Sequence, residues 1–576
     1  MIWKVSDYIV DTLVKHKVTH IFGYQGTMIA HFVDSICRNE KMNNHSCYNE
    51  QGAAFAAVGY AKATGKIGVA YATSGPGALN LVSGIADAYF DSTPTLFITG
   101  QINLNEYTGI STIRQHAFQE VDIVSSVRSY TKYCVQITNK EDIRYELEKA
   151  LFLAQEGRKG PILLDIPMNI QREFIEPEKL HSFTQKDCVY KDDEKIAQDI
   201  LQEIKQAKKP VLLLGNGVRK NSEGHYFLKQ WIEKLKIPVI TSMPAKHLFT
   251  HQDSLYMGYI GAAYGNRAAN MIASKKADLI VSIGCSMCKR QTGVQASTFA
   301  KEAKIIRVDI DKEELKRNVH DDDIKYCMDY HRLIKFLLKN ADFQINSNWV
   351  TSCLKIKEKL TAFDINIFLR EPNTFIKCMS DTLKEDANIF VDVGQHQIWV
   401  AQSYDVKNNQ QMFFSGGHGA MGFALPAGIG GYYASRKRSI VICGDGAFQM
   451  NIQELQWVVR EKIPILIFIF NNHSLGLIRQ QQDDFFDKNH YGSANHEYDT
   501  PSFKAIGEAY GIPSFEIHTE KELILKMKQI QDGKPYLFEI LVDKQSKAYP
   551  KTYFGEEMHN QKPYISKEMM DELLNL

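Results

Sequence analysis

The chain carries almost no net charge: 68 Lys and Arg stand against 67 Asp and Glu, a balance of +1. Without a basic excess it has no electrostatic footprint for nucleic acid or for an anionic membrane surface. It also lacks any uninterrupted apolar run near the ~18 residues that a membrane span needs. The opening "MIWKVSDYIVDTLVKHKV" mixes polar and apolar residues with helical period and has no continuous apolar core. It therefore reads as an amphipathic helix and not as a signal peptide. Ten cysteines are scattered over 576 residues, too thinly for a disulfide framework. Cys285 and Cys288 form a C-x-x-C, but no second pair follows, and the preceding "ADLIVSIG" has the composition of a buried strand. These absences point to reduced thiols, a cytoplasmic location and small-molecule chemistry.

What is present is a rhythm. At 65.6 kDa the chain is too long for one core and suggests roughly three domains. Short β-rich runs ending in glycine alternate with helical patterns: "GVAYATSGPG" and "TPTLFITG", then "KPVLLLGNG", "IPVITSM" and "ADLIVSIG", then "NIFVDVG", "RSIVICGDG" and "IPILIFIFNN". Continuously apolar strands between helices indicate parallel sheets covered on both faces. The expected fold class is α/β, with three doubly wound parallel-sheet domains over 1–172, 194–340 and 372–547 and a tail over 548–576. Two charged stretches, 172–195 and roughly 340–372, are expected to be linkers.

In such sheets ligands sit beyond the carboxyl ends of the strands, where glycines permit close approach and helix N-termini attract anions. The stretch "GDGAFQMNIQELQWVVREKIPILIFIFNNHS" (444–474) fits that rule. Asp445 would end one buried strand and Asn472 the next, so both side chains would reach one rim. A carboxylate, an amide oxygen and the backbone carbonyl of Ser474 are hard ligands that leave positions for water and a diphosphate, as Mg²⁺ prefers. The spacing predicts a metal-diphosphate clamp.

With that pattern the sequence resembles the thiamine diphosphate enzymes over nearly its whole length, and in particular the large catalytic subunit of acetolactate synthases and the related carboligases of sugar loci. The three blocks would then be a pyrimidine-binding, a central FAD-type and a diphosphate-binding domain. In "YNEQGAAFAAVGYAKATGKIGVAYATSGPGALN" the resemblance makes Glu50 the acid that bonds a pyrimidine nitrogen of the cofactor and promotes the tautomer that deprotonates the thiazolium carbon. Ser74, Gly75, Pro76 and Asn80 of "SGPGALN" would line the same pocket. In "DVGQHQIWVAQ" the backbone N–H groups of Gln395 and His396 would meet the diphosphate. In "SGGHGAMGFALPAGIG", Gly419 and Met421 would support the bent cofactor, Met421 as the apolar wedge, and Gly444, Gly446 and Ala447 would complete the turn around the metal. Phe118 and Gln119 match an active-site pair, with Gln119 orienting a substrate carbonyl and Phe118 shaping the pocket. The resemblance further implies sites shared between subunits, hence a homodimer at least, or a tetramer.

Several positions depart from the family pattern. The central block has "GCSMCKRQTG", with Ser286 where an arginine associated with the flavin is expected, which leaves FAD open. Arg290 keeps a position from which a guanidinium can grip a carboxylate. Gln481 replaces a tryptophan that helps select the acceptor, and loss of a side chain worth about 150–250 Å² of buried surface enlarges that pocket. Gln25 and Thr27 stand in an N-terminal turn near the reacting centre, and Met168 occupies the place of a lysine. The expected function is a decarboxylating carboligase that takes pyruvate or a similar 2-oxo acid and passes its acyl-anion equivalent to a carbonyl acceptor such as a keto-sugar nucleotide. The alternatives are an acetolactate synthase that joins two pyruvates, with a regulatory subunit encoded elsewhere, and a non-catalytic paralogue that only binds the cofactor.

Overall fold

The computed structural model describes all residues except 1, 111, 186–191, 369 and 371, together with the backbone alone at 368. Three six-stranded sheets follow one another along the chain, each wholly parallel and flanked by helices. The first contains His20–Gly23, Asn43–Ser46, Gly68–Ala72, Thr95–Gln101, Tyr133–Gln136 and Pro161–Pro167. The second contains Pro210–Leu214, Val239–Ser242, Tyr256–Ile260, Leu279–Ile283, Lys304–Asp309 and Ile324–Cys327. The third contains Ala387–Val391, Gln410–Phe414, Arg438–Gly444, Leu466–Asn471, Ser514–Ile517 and Tyr536–Leu541. Counted in chain order within each sheet, the spatial order is 2-1-3-4-6-5 in the first and third, and 3-2-1-4-5-6 in the second. The outer two blocks thus share one topology, while the middle one has the order of dinucleotide-binding sheets.

The runs quoted from the sequence form central strands because every residue of segments such as "PVLLL", "LIVSI" and "LIFIFN" is buried. The stretch 340–372 is not the open linker its charges suggest, since Ser347–Phe368 is one helix. Its apolar residues Trp349, Cys353, Ile356 and Leu360 fall at helical spacing and are 4%, 0%, 0% and 2% exposed against the middle core. The tail is likewise docked. Arg267 donates to the carbonyls of Gln561 at 2.6 Å and Pro563 at 2.7 Å, and Lys276 donates to that of Leu574 at 2.7 Å.

The first and third blocks meet through two helices rich in small residues, Glu50–Thr64 and Ala424–Ser435. A Cβ on Gly59 would lie 2.1 Å from the Ala427 carbonyl oxygen, and one on Gly430 would lie 1.9 Å from that of Ala56. The backbones touch, so neither neighbour can yield. Gly59→Val is expected to destabilise the protein by about 2–3 kcal/mol or more through overpacking. A urea midpoint equal to that of the unsubstituted protein would contradict this packing.

Candidate active site

The third sheet brings Asp445 and Asn472 together by simple register. Strand Arg438–Gly444 pairs with Leu466–Asn471, with Gly444 opposite Phe470, so the residues just past both strand ends share one rim. Asp445 begins the short helix Asp445–Gln449 and is 3% exposed. Its Oδ1 accepts from the N–H of Gly446 at 2.7 Å and from the Tyr498 hydroxyl at 3.2 Å, and its Oδ2 accepts from the N–H of Ser474 at 3.2 Å. The same Ser474 N–H reaches Oδ1 of Asn472 at 3.2 Å, and Asn472 Nδ2 donates to Gln395 at 3.1 Å. Burial pushes the Asp445 carboxyl up to about 6, although those N–H donors pull the other way.

The surrounding backbone is crowded in a way that demands glycine. A Cβ on Gly444 would meet Nδ1 of His396 at 2.8 Å. One on Gly446 would meet Leu475 at 2.6 Å, the Tyr498 hydroxyl at 2.8 Å and Cε of Met421 at 3.3 Å. Helix Gln395–Ser403 begins here, preceded by Gly394. Burial holds His396 down to about 3, so its ring is neutral near pH 7, and its Nε2 and the Ser474 hydroxyl are buried without a hydrogen-bond partner. Unpartnered buried polar atoms beside a carboxylate and a helix start are what an absent metal-bound anion would satisfy. Among the described residues no group of three His, Cys, Asp or Glu gathers. A hard cation held by one carboxylate, one amide and a carbonyl needs none.

The first block gathers a second set. Glu50 opens helix Glu50–Thr64 behind the N-cap Asn49 and is 7% exposed. Asn80 Nδ2 donates to its Oε2 at 2.9 Å, and its Oε1 lies 3.0 Å from where a Cβ on Gly77 would stand. Ser74 is buried with an unpartnered hydroxyl, and Gly75 turns the chain at φ +61°. A Cβ on Gly75 would lie 2.8 Å from the carbonyl oxygen of Gln119, so Gln119 and the Ser74–Pro76 turn are adjacent. Thr27 sits on the next turn, where a Cβ on Gly26 would strike Thr73 at 2.4 Å. Phe118 is 78% exposed, which leaves this pocket open on one side.

Within one chain, the hydrogen bonds between the two sets run through their neighbours and not through Glu50 and Asp445. Gln51 accepts from Asn451 at 3.0 Å, and Glu454 accepts from the N–H of Tyr48 at 3.2 Å. Glu454, which burial pushes up to about 7, was not singled out in the sequence, nor were Leu475, Tyr498 or Asp392. Asp392 takes the N–H groups of Gly422 at 3.0 Å and Ala424 at 2.8 Å. Its signal was its place at the end of the "NIFVDVG" strand.

The remaining positions lie elsewhere. Gln481 is exposed on helix Gly476–Phe485 beside a shallow cavity of about 480 Å³ with Ile478, Phe485 and Tyr491. Arg290 lines a much larger cavity, about 1630 Å³, and its guanidinium is 3.4 Å from the Gly416 carbonyl. That cavity opens at the point where the middle sheet reverses its order, among Gly215, Gly217, Gly284 and Ser286, and it does not include Asp445 or Asn472.

Residues 3–126, 197–337 and 392–540 match, respectively, the N-terminal TPP binding domain, the central domain and the C-terminal TPP binding domain of thiamine pyrophosphate enzymes. Over 95% of its length the chain is 36% identical to the acetolactate synthase large subunit of Lactococcus lactis, of which it covers 93%. It belongs to the thiamine pyrophosphate enzymes. Within that family it is also 33% identical to acetolactate synthase 1, chloroplastic, of Oryza sativa, over 95% of this chain and 86% of that protein. A probable acetolactate synthase large subunit of Methanocaldococcus jannaschii is 33% identical over 99% of this chain and 98% of its own. The chain is therefore an acetolactate synthase-like enzyme that depends on thiamine diphosphate, as thiamine pyrophosphate is also called, and both of its outer blocks carry the cofactor-binding match. No described helix is long and apolar enough to cross a membrane.

Proposed function

We propose that the enzyme is a Mg²⁺-dependent decarboxylating carboligase that takes pyruvate or a similar 2-oxo acid and delivers the resulting two-carbon unit to a bulky carbonyl acceptor. The observation that supports it most is the pair of strand-end residues Asp445 and Asn472, bridged by the Ser474 N–H, with the Ser474 hydroxyl and Nε2 of His396 buried without a partner beside them. Asp445, Asn472 and Ser474 would hold the metal. Gln395, His396, Gly419, Gly444, Gly446 and Ala447 would hold the diphosphate turn, and Met421 would be the apolar support of the cofactor. When bound, thiamine diphosphate supplies an electron sink at its thiazolium carbon. Glu50, buried and oriented by Asn80, would hold or release a proton at the pyrimidine edge. Ser74, Gly75, Pro76 and Asn80 shape that edge, while Thr27, Phe118 and Gln119 face the substrate from the same side.

Because Glu50 and Asp445 are not joined inside one chain, the complete site would form between two copies, Glu50 coming from one and Asp445 from the other. The polar amide of Gln481, beside the shallow cavity, would suit a larger and more polar carbonyl acceptor such as a keto-sugar nucleotide, whereas Arg290 lines the separate middle cavity and is not brought to Gln481 within one chain. The middle cavity would take a dinucleotide such as FAD. Gly215, Gly217 and Gly284 line it at the strand ends where the sheet order reverses, the place at which such sheets take dinucleotides. A flavin spectrum released on denaturing the purified protein would support this, and a colourless supernatant would not.

A second reading is acetolactate synthesis from two pyruvates, which the 36% identity to the Lactococcus lactis enzyme favours. Purified enzyme supplied with thiamine diphosphate, Mg²⁺ and pyruvate separates the two. Coupled product that appears only with an added carbonyl acceptor supports the proposal. Acetolactate as the sole efficient product, whatever acceptor is added, overturns it in favour of the second reading.

A further inference from the structure

The helix that begins with Glu50 ends in a second buried charge that the reaction does not use. Lys62 has a side chain 9% exposed, with Nζ 2.5 Å from Oδ2 of Asp91, 3.6 Å from Oδ2 of Asp87 and 2.7 Å from the carbonyl oxygen of Phe414. Its ammonium also lies 4.6 Å from the centroid of the Phe423 ring. Asp91 in turn accepts from the N–H groups of Gly416 at 3.0 Å and Gly417 at 2.6 Å. Asp87, with its carboxylate entirely buried, accepts from the Ser415 hydroxyl, and that hydroxyl accepts from the N–H of Ala420 at 2.9 Å. Phe90 stacks on His418 with centroids 5.8 Å apart. The bonds from Lys62 to the Phe414 carbonyl, from Ser415 to Asp87 and from Gly416 and Gly417 to Asp91 all run between the N-terminal domain and one turn of the C-terminal domain or the residue just before it. That turn, Ser415–Gly422, is closed at its far end by Asp392 through the N–H groups of Gly422 and Ala424. Met421 lies between the two anchors.

We propose that Lys62, Asp87 and Asp91 are positioning residues that fix the Ser415–Gly422 turn and thereby aim Met421 at the cofactor bound in the same chain. The inference rests on the reading of Met421 given under Proposed function. A buried cluster of one cation and two carboxylates contributes little net stability compared with apolar side chains of the same volume. What it supplies is direction: two carboxylates and one ammonium leave the turn few alternative arrangements. The Oδ2 of Asp87 has no hydrogen-bond partner and lies 3.6 Å from the Lys62 ammonium, so removing that cation would leave it beside the like charge of Asp91. One N-terminal domain then serves two sites, with Glu50 completing the partner's and Lys62 setting its own.

The test uses the full-length protein and the variants Lys62→Met, Lys62→Arg and Ser415→Ala. Asp364→Asn serves as a control, because it weakens the 2.6 Å buried pair with Arg267 in the middle domain. Two readouts are followed: amide hydrogen exchange of the 415–423 segment in cofactor-free protein, and hydrogen–deuterium exchange at the thiazolium carbon of bound thiamine diphosphate. Lys62→Met and Ser415→Ala are expected to speed amide exchange in the turn and to slow exchange at the thiazolium carbon about 10- to 100-fold, the scale of a misplacement near 1 Å. The dissociation constant of the cofactor should change by only about 3-fold, since the metal anchor is untouched. Lys62→Arg should restore both readouts, and Asp364→Asn should lower the melting temperature and move neither. Unchanged amide exchange and unchanged thiazolium exchange in folded Lys62→Met overturn the proposal. If that variant does not fold, Ser415→Ala decides on the same criteria. Failure of the unsubstituted protein to bind thiamine diphosphate would instead overturn the reading of the site, and the amide exchange would still show whether the cluster fixes the turn.

Discussion

Glu50→Gln is expected to lower turnover by roughly 10²–10⁴-fold, the usual worth of a positioned general acid or base. The substitution keeps the length of the side chain and an oxygen that can accept from Asn80, which now donates at 2.9 Å. It removes only the capacity to exchange a proton. Melting temperature and cofactor affinity should therefore stay close to those of the unsubstituted enzyme, and near-normal turnover would remove Glu50 from the chemistry. The shared site adds a sharper result. Mixing Glu50→Gln protein with an inactive Asp445→Asn protein under conditions that exchange subunits should restore activity, because one of the two sites in each mixed dimer would combine an intact Glu50 with an intact Asp445. If each chain built its site alone, the mixture would remain inactive.

Asp445→Asn is the second large effect. A neutral amide cannot supply the anionic oxygen that a hard cation prefers, and its NH₂ group, in place of one of the two oxygens, would face the N–H donor of either Gly446 or Ser474. Loss of a charge-assisted contact worth about 3 kcal/mol weakens Mg²⁺-dependent cofactor binding on the order of 100-fold. The cofactor-free protein should behave in the opposite way. Burial raises the Asp445 carboxyl from the ordinary aspartate range to about 6, so the folded form prefers the protonated carboxyl. Its contribution is favourable below pH ~4 and is lost as pH rises through ~6, leaving an ionised group at pH 7 that costs stability on the order of 1–3 kcal/mol. The substituted apoprotein should consequently melt at an equal or higher temperature at pH 7, and a marked fall would assign Asp445 a structural role instead. A residue that costs stability when the site is empty and is needed when it is filled is arranged for binding.

Much of this arrangement could be read from the chain because its central strands are continuously apolar and end in glycine. "SIVIC" and "LIFIFN" are buried along their length, and the parallel register that follows places Asp445 beside Asn472 without any further information. The edge strands were harder. Asn43–Ser46, "NNHS", has neither alternation nor an apolar run, and it is held in place by pairing with His20–Gly23. The helix Ser347–Phe368 was hidden by its charges, since the residues that face the core, among them Trp349, Cys353, Ile356 and Leu360, are spread thinly between polar ones. Long-range side-chain partners left still less trace. Nothing local marks Lys62 as the companion of Asp87, Asp91 and the Phe414 carbonyl, because the last of these is more than three hundred residues away and is brought close only by the contact between two small-residue helices. The same holds for Glu454, which reaches Tyr48 through that interface.

The most direct measurement is a calorimetric titration of the metal-stripped protein with thiamine diphosphate, with and without Mg²⁺. The account predicts tight, saturable binding only when the divalent ion is present. Equal affinity in its absence, or no binding under either condition, would contradict the clamp formed by Asp445, Asn472 and Ser474.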